Sequence, residues 1–275
     1  MTLTPAQPPS SPAGAPAGAL DTLVIVTGAS RGLGEAIAVQ ALAEGARVLG
    51  LSRARSAALE ARAGETTAGG ARIEQWPVDL ADPVPAAARL GEWLAAVERT
   101  RGAPARVRLV HNAALLSAPG NVAEGDVADQ ARSLRVGVEA PVALTAAFLR
   151  ATGGWTNADR RVLFVSSGLG RRPMAGSAAY CAQKAGLDHF ARALALEEGA
   201  RAHGARVASV APGIIDTDMQ RQLRAADPAR FPERARFDEF HRSGALSTPA
   251  QAAARLLALL ESVDYGSEPV TDARE

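Results

Sequence analysis

Tyr180 and Lys184 stand four residues apart in Tyr180-Cys181-Ala182-Gln183-Lys184, a spacing that places both on one face of a helix. A free phenol titrates near pH ~10, and a neighbouring ammonium favours its ionised form. Such a pair can pass a proton to or from a bound oxygen closer to neutrality. Ser167, thirteen residues before Tyr180, ends an apolar run and offers a hydroxyl to an oxygen on which charge develops. The 30 basic residues include one lysine, Lys184; the rest are arginine. Coding bias explains a surplus of arginine equally well. Even so, the lone ammonium falls where a compact point charge serves better than a planar guanidinium.

A second group of residues suits a phosphate. Directly after the apolar run at 23–27 comes Thr27-Gly28-Ala29-Ser30-Arg31-Gly32-Leu33-Gly34. Glycines at a strand-to-helix turn let the backbone approach a pyrophosphate, while the helix N-terminus presents N–H groups and partial positive charge. A purely structural tight turn also uses glycine. Placement at the opening of the first β-α-β unit favours a nucleotide. The second strand ends Leu51-Ser52-Arg53-Ala54-Arg55, with no acid before Glu60 to accept from a ribose 2′-hydroxyl. Arg53 and Arg31 are instead placed to flank a 2′-phosphate, so NADP(H) is expected rather than NAD. The alternative is that both arginines are solvated surface residues.

These groups need a scaffold. The chain has 275 residues, 47% hydrophobic and 21% charged, enough for one large α/β domain. Short apolar runs at 23–27, 47–51, 72–78, 107–111, 162–166, 206–210 and 268–271 alternate with Ala-rich segments at 32–44, 85–99, 126–150, 178–202 and 249–261. That rhythm predicts right-handed β-α-β units and a doubly wound parallel sheet covered on both faces, a Rossmann-like single domain over 21–275. Residues 216–246, long and charged, break the rhythm and are expected to form a lid over the substrate site. Residues 1–20 carry no charge and five prolines, which predicts a disordered tail rather than a signal peptide or membrane span. A net charge of +1 gives no reason to expect nucleic acid or a membrane as partner. The single cysteine, Cys181, excludes internal disulfides and reads as a packed small hydrophobe. The histidines, at 111, 189, 203 and 241, show no ligand spacing, and no metal site is expected. A cytoplasmic protein with a small-molecule substrate is the expectation.

In these motifs, in this order, the chain resembles the short-chain dehydrogenase/reductase family, over roughly residues 22–272. The matching elements are Thr27–Gly34, the His111-Asn112-Ala113-Ala114 stretch, Ser167 with Tyr180 and Lys184, and the Pro212-Gly213-Ile214-Ile215-Asp216-Thr217 turn. The resemblance implies that Ser167, Tyr180 and Lys184 are catalytic, with Tyr180 as general acid in reduction and Lys184 also bonding the nicotinamide ribose. It implies cofactor contacts from Gly28, Ser30, Arg31, Gly32, Leu33, Gly34, Arg53, Asp79, Leu80, Asn112, Ala113, Ala114, Pro212, Gly213, Ile215 and Thr217. Asp79 corresponds to an adenine-contacting acid, though a cap near Asp82-Pro83 is an alternative. The charged segment after Thr217 and the ending from Tyr265 to Asp272 look most like the sepiapterin reductase and benzil reductase branch. There Asp272 matches a pterin-anchoring aspartate, or equally a polar residue after an edge strand, and Leu115, Leu169, Met174 and Met219 are candidate substrate lining.

The activity so implied is NADPH-dependent reduction of ketones or diketones. An oxidative alcohol dehydrogenase is the alternative, as is an NADP-binding regulator that has lost its chemistry. Homodimers or homotetramers are common in the family. One departure stands out: Val136-Gly137-Val138 lacks the asparagine that holds a relay water behind the lysine. On the resemblance, Gly137→Asn should keep or raise turnover.

Overall fold

In the first strand, β1 (Thr22–Thr27), Leu23 and Ile25 face one side of the sheet and Val24 and Val26 the other, and all four are buried. The apolar run therefore does not alternate with polar residues, as expected of a parallel strand packed on both faces. The computed structural model describes residues 21–274 apart from 63, 65, 68 and 69; the expected N-terminal tail lies outside them.

After β1 come α1 (Gly32–Ala43), β2 (Arg47–Ser52), a single turn α2 (Ala57–Glu60), and a small hairpin of β3 (Thr66–Thr67) and β4 (Gly70–Ala71). Next are β5 (Ile73–Pro77), α3 (Pro83–Arg101), β6 (Arg106–His111), α4 (Val127–Leu134), α5 (Ala140–Thr152), β7 (Asp159–Val165) and α6 (Ala178–Gly199). The chain closes with β8 (Arg206–Ala211), α7 (Asp218–Arg224), α8 (Arg234–Arg242), α9 (Pro249–Glu261) and β9 (Val270–Asp272). Seven strands form one parallel sheet in the order β5-β2-β1-β6-β7-β8-β9. On one face Leu90 and Leu94 of α3, Leu144 and Phe148 of α5 and Leu187 and Leu194 of α6 cover the sheet. On the other, Ile37 and Leu42 of α1 pack with Leu256, Leu257 and Leu260 of α9. The chain runs outward in both directions from β1, so a crevice opens beyond the carboxyl ends of β1 and β6.

The helix expected over 126–150 is interrupted. Residues Arg135–Glu139 form a π turn, in which the Ala140 N–H reaches back five residues to the Arg135 carbonyl. Pro141 accounts for it: proline has no N–H to give the carbonyl of residue 137, and its ring would collide with that carbonyl in a regular helix. A wider turn relieves the conflict and lets the helix continue.

At the opposite end of the sheet from the crevice, fully buried Arg108 pairs with Asp159 (2.9 Å) and Glu261 (2.6 Å). Asp159 also receives Arg161 and Arg206. Burial alone would raise the Asp159 carboxyl, but Arg161, Arg108 and Arg206 together hold it down to about 2. A buried charge is tolerable when partnered in this way, and the cluster clamps β6, β7 and β8 to the end of α9.

His111, at the end of β6, stacks on Phe164 with ring centroids 5.0 Å apart, and its Nε2 lies 2.9 Å from the Thr145 hydroxyl. Burial drives it down to about 3 from its ordinary 6.5. In the unfolded chain it gains a proton below that ordinary value, while the folded chain resists until about 3. Its contribution to stability is thus intact above pH ~6.5 and is lost progressively as pH falls towards 3. The melting temperature is expected to drop across that window, and to drop less steeply in His111→Gln; equal slopes by calorimetry would refute the assignment.

Candidate functional site

Two glycines shape the floor of the crevice. Gly28 and Gly32 have φ of +70° and +58°, a region L side chains rarely adopt. A Cβ on Gly28 would stand 2.9 Å from the Asn112 amide nitrogen, and one on Gly34 would overlap both that nitrogen and the Gly28 carbonyl oxygen. Asn112 uses its amide to donate to the carbonyls of Thr27 (3.1 Å) and Gly28 (3.2 Å). Arg31, at the N-terminus of α1, makes no side-chain capping bond, so no side chain of its own takes the first-turn N–H groups. A glycine cradle beside such a helix start fits the pyrophosphate of a dinucleotide.

One cleft of about 880 Å³ collects nearly all the residues singled out from sequence. Gly28, Ser30, Arg31, Gly32 and Leu33 line it, as do Arg53, Asp79, Leu80, Asn112, Ala113 and Ala114. Ser167, Tyr180 and Lys184 form the wall beyond, with Pro212, Gly213, Ile215 and Thr217, and Leu115, Leu169, Met174 and Met219 line the far part. Two candidates are not in the lining. Gly34 sits behind the turn, where its lack of a side chain permits the close approach just described. The other, Asp272, corrects an expectation. Its carboxylate is 8% exposed and bonded to Arg274 Nε (2.8 Å) and Nη2 (2.6 Å), so Arg274 rather than Asp272 faces the cleft.

The two arginines expected at a 2′-phosphate differ. Arg53 lies exposed beside the end of β2, with no hydrogen-bond or ion-pair partner among the described residues. Arg31 pairs with Asp218 at 2.9 Å, joining the glycine turn to the first residue of α7. Asp79 accepts from the Ala81 N–H (3.0 Å) and pairs with Arg132 (2.7 Å), and these contacts hold its carboxyl below the usual range. It does not cap α3, whose N-cap is Asp82.

The phenol, the hydroxyl and the ammonium converge. Tyr180 and Lys184 are 8% and 2% exposed, and Lys184 Nζ donates to the Val165 carbonyl (2.8 Å), 5.6 Å from the Tyr180 ring centre. Ser167 begins the 3-10 turn Gly168–Gly170, its Oγ accepting from the Leu169 N–H (3.2 Å) while remaining in hydrogen-bonding reach of the Tyr180 phenol. The lowering of the phenol is expected from Lys184 together with an oxidised nicotinamide; in the chain alone burial dominates. Burial pushes Tyr180 up to about 12, against the pull of the Ser167 hydrogen bond. Burial also brings Lys184 down to about 8, with Asp188 opposing. A cation whose ammonium is itself costly to bury, and is turned onto a backbone carbonyl, does little for the phenol.

Asp188 escaped the sequence reading although the signal was there: it follows Lys184 by four residues, as Lys184 follows Tyr180. It is 2% exposed and accepts from Ser166 (2.6 Å) and Ser209 (2.7 Å), which fix its charge behind the lysine. Gln183 was missed as well. Fully buried, it donates to Ser133 Oγ (2.7 Å) and to the Leu115 carbonyl (3.0 Å), and it fills the space above Gly137. A Cβ at 137 would lie 2.5 Å from Gln183 Cγ and nearer still to its Cδ and Oε1. The expectation for Gly137→Asn is therefore reversed, because the side chain has no room. Cys181 packs against the apolar cluster around Met174.

The segment expected as a lid carries α7 and α8 and brings Met219, Leu223, Phe237 and Phe240 to the cleft. Its two ends meet where Ile215 and Ser247 form a parallel bridge.

The sheet order, the glycine cradle and the Ser167–Tyr180–Lys184 wall together describe a nicotinamide-dependent oxidoreductase fold. The chain belongs to the short-chain dehydrogenase family, whose model matches residues 22–228. It is 30% identical over 242 residues to benzil reductase ((S)-benzoin forming) of Bacillus cereus, covering 88% of this chain and 95% of that one. It is 32% identical over 259 residues to sepiapterin reductase of Bos taurus, covering 90% and 92%. Among solved structures, an NAD(P)-dependent gluconate 5-dehydrogenase candidate from Beutenbergia cavernae, with NADP bound at low occupancy, superposes with a TM-score of 0.73. It is 28% identical and covers 93% of this chain and 96% of that one. No helix among the described residues is long and apolar enough to cross a membrane.

Two outcomes follow from α6 and its neighbours. Gly137→Asn is expected to lose about 1–3 kcal/mol of stability by overpacking, partly restored by Gln183→Ala in the same chain, as read by denaturant unfolding. Asp188→Asn removes the charge that raises Lys184, so the alkaline limb of the oxidoreductase rate should move to lower pH, by ~1 unit. An unmoved limb would show that Asp188 serves the fold alone.

Proposed function

We propose that this protein is an NADPH-dependent carbonyl reductase that reduces ketones or diketones. The observation that carries the reading is the convergence of Ser167, Tyr180 and Lys184 on one wall of a cleft whose other end is the glycine cradle. Bound in that cradle, the reduced nicotinamide supplies a hydride to the carbonyl carbon. The rest of the chemistry belongs to the chain. Ser167 donates a hydrogen bond to the carbonyl oxygen, where negative charge develops. Tyr180, held protonated by burial, delivers the proton to that same oxygen as general acid. Lys184 would bond the ribose hydroxyls of the bound cofactor, its ammonium held 5.6 Å from the centre of the phenol ring.

Arg53 supports NADPH over NADH, standing where an NAD-binding chain would present a carboxylate. The pairing of Arg31 with Asp218 supports a lid role for residues 216–246, since it ties that segment to the turn that would hold the phosphates. The relatives named for benzil and sepiapterin support a carbonyl substrate with an aromatic or conjugated body.

Tyr180→Phe tests the reading. With NADPH and a panel of aromatic diketones, the parent should oxidise the cofactor, and the variant should be slower by about 10²–10⁴-fold with the cofactor still bound. Parent-like turnover in the variant would overturn the mechanism.

A further inference from the structure

Past Ser167 the cleft changes character. Met174, Leu223, Phe231 and Phe237 form an apolar cluster separate from the two that cover the sheet, and all but Phe231 face the cleft. A hydrophobic substrate body would settle there. The border of this basin is nevertheless cationic. Arg172 lines the cleft and lays its Nη2 3.2 Å from where a side chain on Gly168 would begin, directly beside Ser167. Arg53, also unpaired, lies at the far end of the cleft beside β2, whereas the other cleft arginines are engaged: Arg31 with Asp218 (2.9 Å), Arg236 with Glu233 (3.7 Å) and Arg274 with Asp272 (2.6 Å). The Arg172 backbone N–H donates to the Gly168 carbonyl (3.0 Å), but its guanidinium has no hydrogen-bond or ion-pair partner among the described residues.

We propose that the substrates this site is built for are oxo acids: ketones carrying a carboxylate within a few bonds of the carbonyl, with Arg172 as the carboxylate's partner. The inference rests on the reductase reading and narrows its substrate class. A guanidinium matches a carboxylate through two parallel hydrogen bonds. Because Arg172 Nη2 approaches Gly168, the residue after Ser167, a carboxylate on Arg172 would place its oxo group on the Ser167 side of the cleft. Arg172 is exposed, so a neutral diketone would leave its guanidinium to water, whereas an oxo acid would give it a counter-charge at the border of the apolar basin. Asp272, the acid expected to anchor a pterin, is instead bonded by Arg274.

The test compares benzoylformate with its methyl ester, which differ only in the charge. Parent enzyme with NADPH should prefer the acid in kcat/KM. In Arg172→Met the acid-to-ester preference should fall tenfold or more, chiefly through KM for the acid, and Arg172→Lys should restore part of it. Calorimetric binding of benzoylformate in the presence of NADP+ gives a readout independent of turnover and should weaken similarly. An unchanged preference and unchanged binding in Arg172→Met would overturn the oxo-acid inference while leaving the reductase reading intact. If neither compound nor any diketone is reduced, the reductase reading fails. Loss of benzoylformate binding in the variant would then still support Arg172 as a carboxylate site.

Discussion

Everything at the site depends on how closely the ends of β1 and β6 come together. Thr27 Oγ1 accepts the backbone N–H groups of Asn112 and Ala113, both at 3.1 Å, and Asn112 returns its side-chain amide to the carbonyls of Thr27 and Gly28. Four hydrogen bonds thus weld the glycine turn to the loop after β6. They can form only because residues 28 and 34 have no side chain to hold the two apart. The result is a rigid floor on which a dinucleotide lies at a fixed height relative to α6. Asn112 is therefore less a ligand than the rivet beneath one.

Above that floor α6 arranges a phenol, an ammonium and a carboxylate at successive helical turns. Each is buried, and burial works against every charge in the row. The chain answers with local partners: the Val165 carbonyl for Lys184, Ser166 and Ser209 for Asp188, and Ser167 for Tyr180. The opposite end of the same sheet solves a similar problem with Arg108, Asp159 and Glu261, and there the solution is purely structural. Both ends bury charge, but only the carboxyl end places it against open space.

Much of this was legible in the residues. Strand and helix alternation gave the doubly wound sheet because apolar runs buried on two faces leave few other architectures. The glycine turn and the Tyr180–Lys184 spacing were legible because their geometry is local. Contacts between distant segments were not. Nothing near Gly137 announces that Gln183, 46 positions later, fills the space above it. Asp272 looked available as an anchor because its neighbour's conformation, which folds Arg274 back onto it, has no sequence signature. The π turn was readable in principle from Pro141, since proline constrains the residue four before it. The arginines in strands at 108, 161 and 206 share one partner, Asp159, which emerges only once the register is known.

The near-absence of lysine has an electrostatic corollary. Of the cationic side chains lining the cleft, all but Lys184 are guanidiniums, which keep their charge throughout the range in which proteins stay folded. The acids lining the same cleft are fewer: Asp79, Asp218 and Glu233 stand against Arg31, Arg53, Arg172, Lys184, Arg236 and Arg274. The crevice therefore carries an excess of cationic side chains, a field that favours anions such as the phosphates of a dinucleotide. This protein assigns capture and chemistry to different residues: the guanidiniums of the cleft supply the attraction, and the phenol and amine on α6 handle the proton.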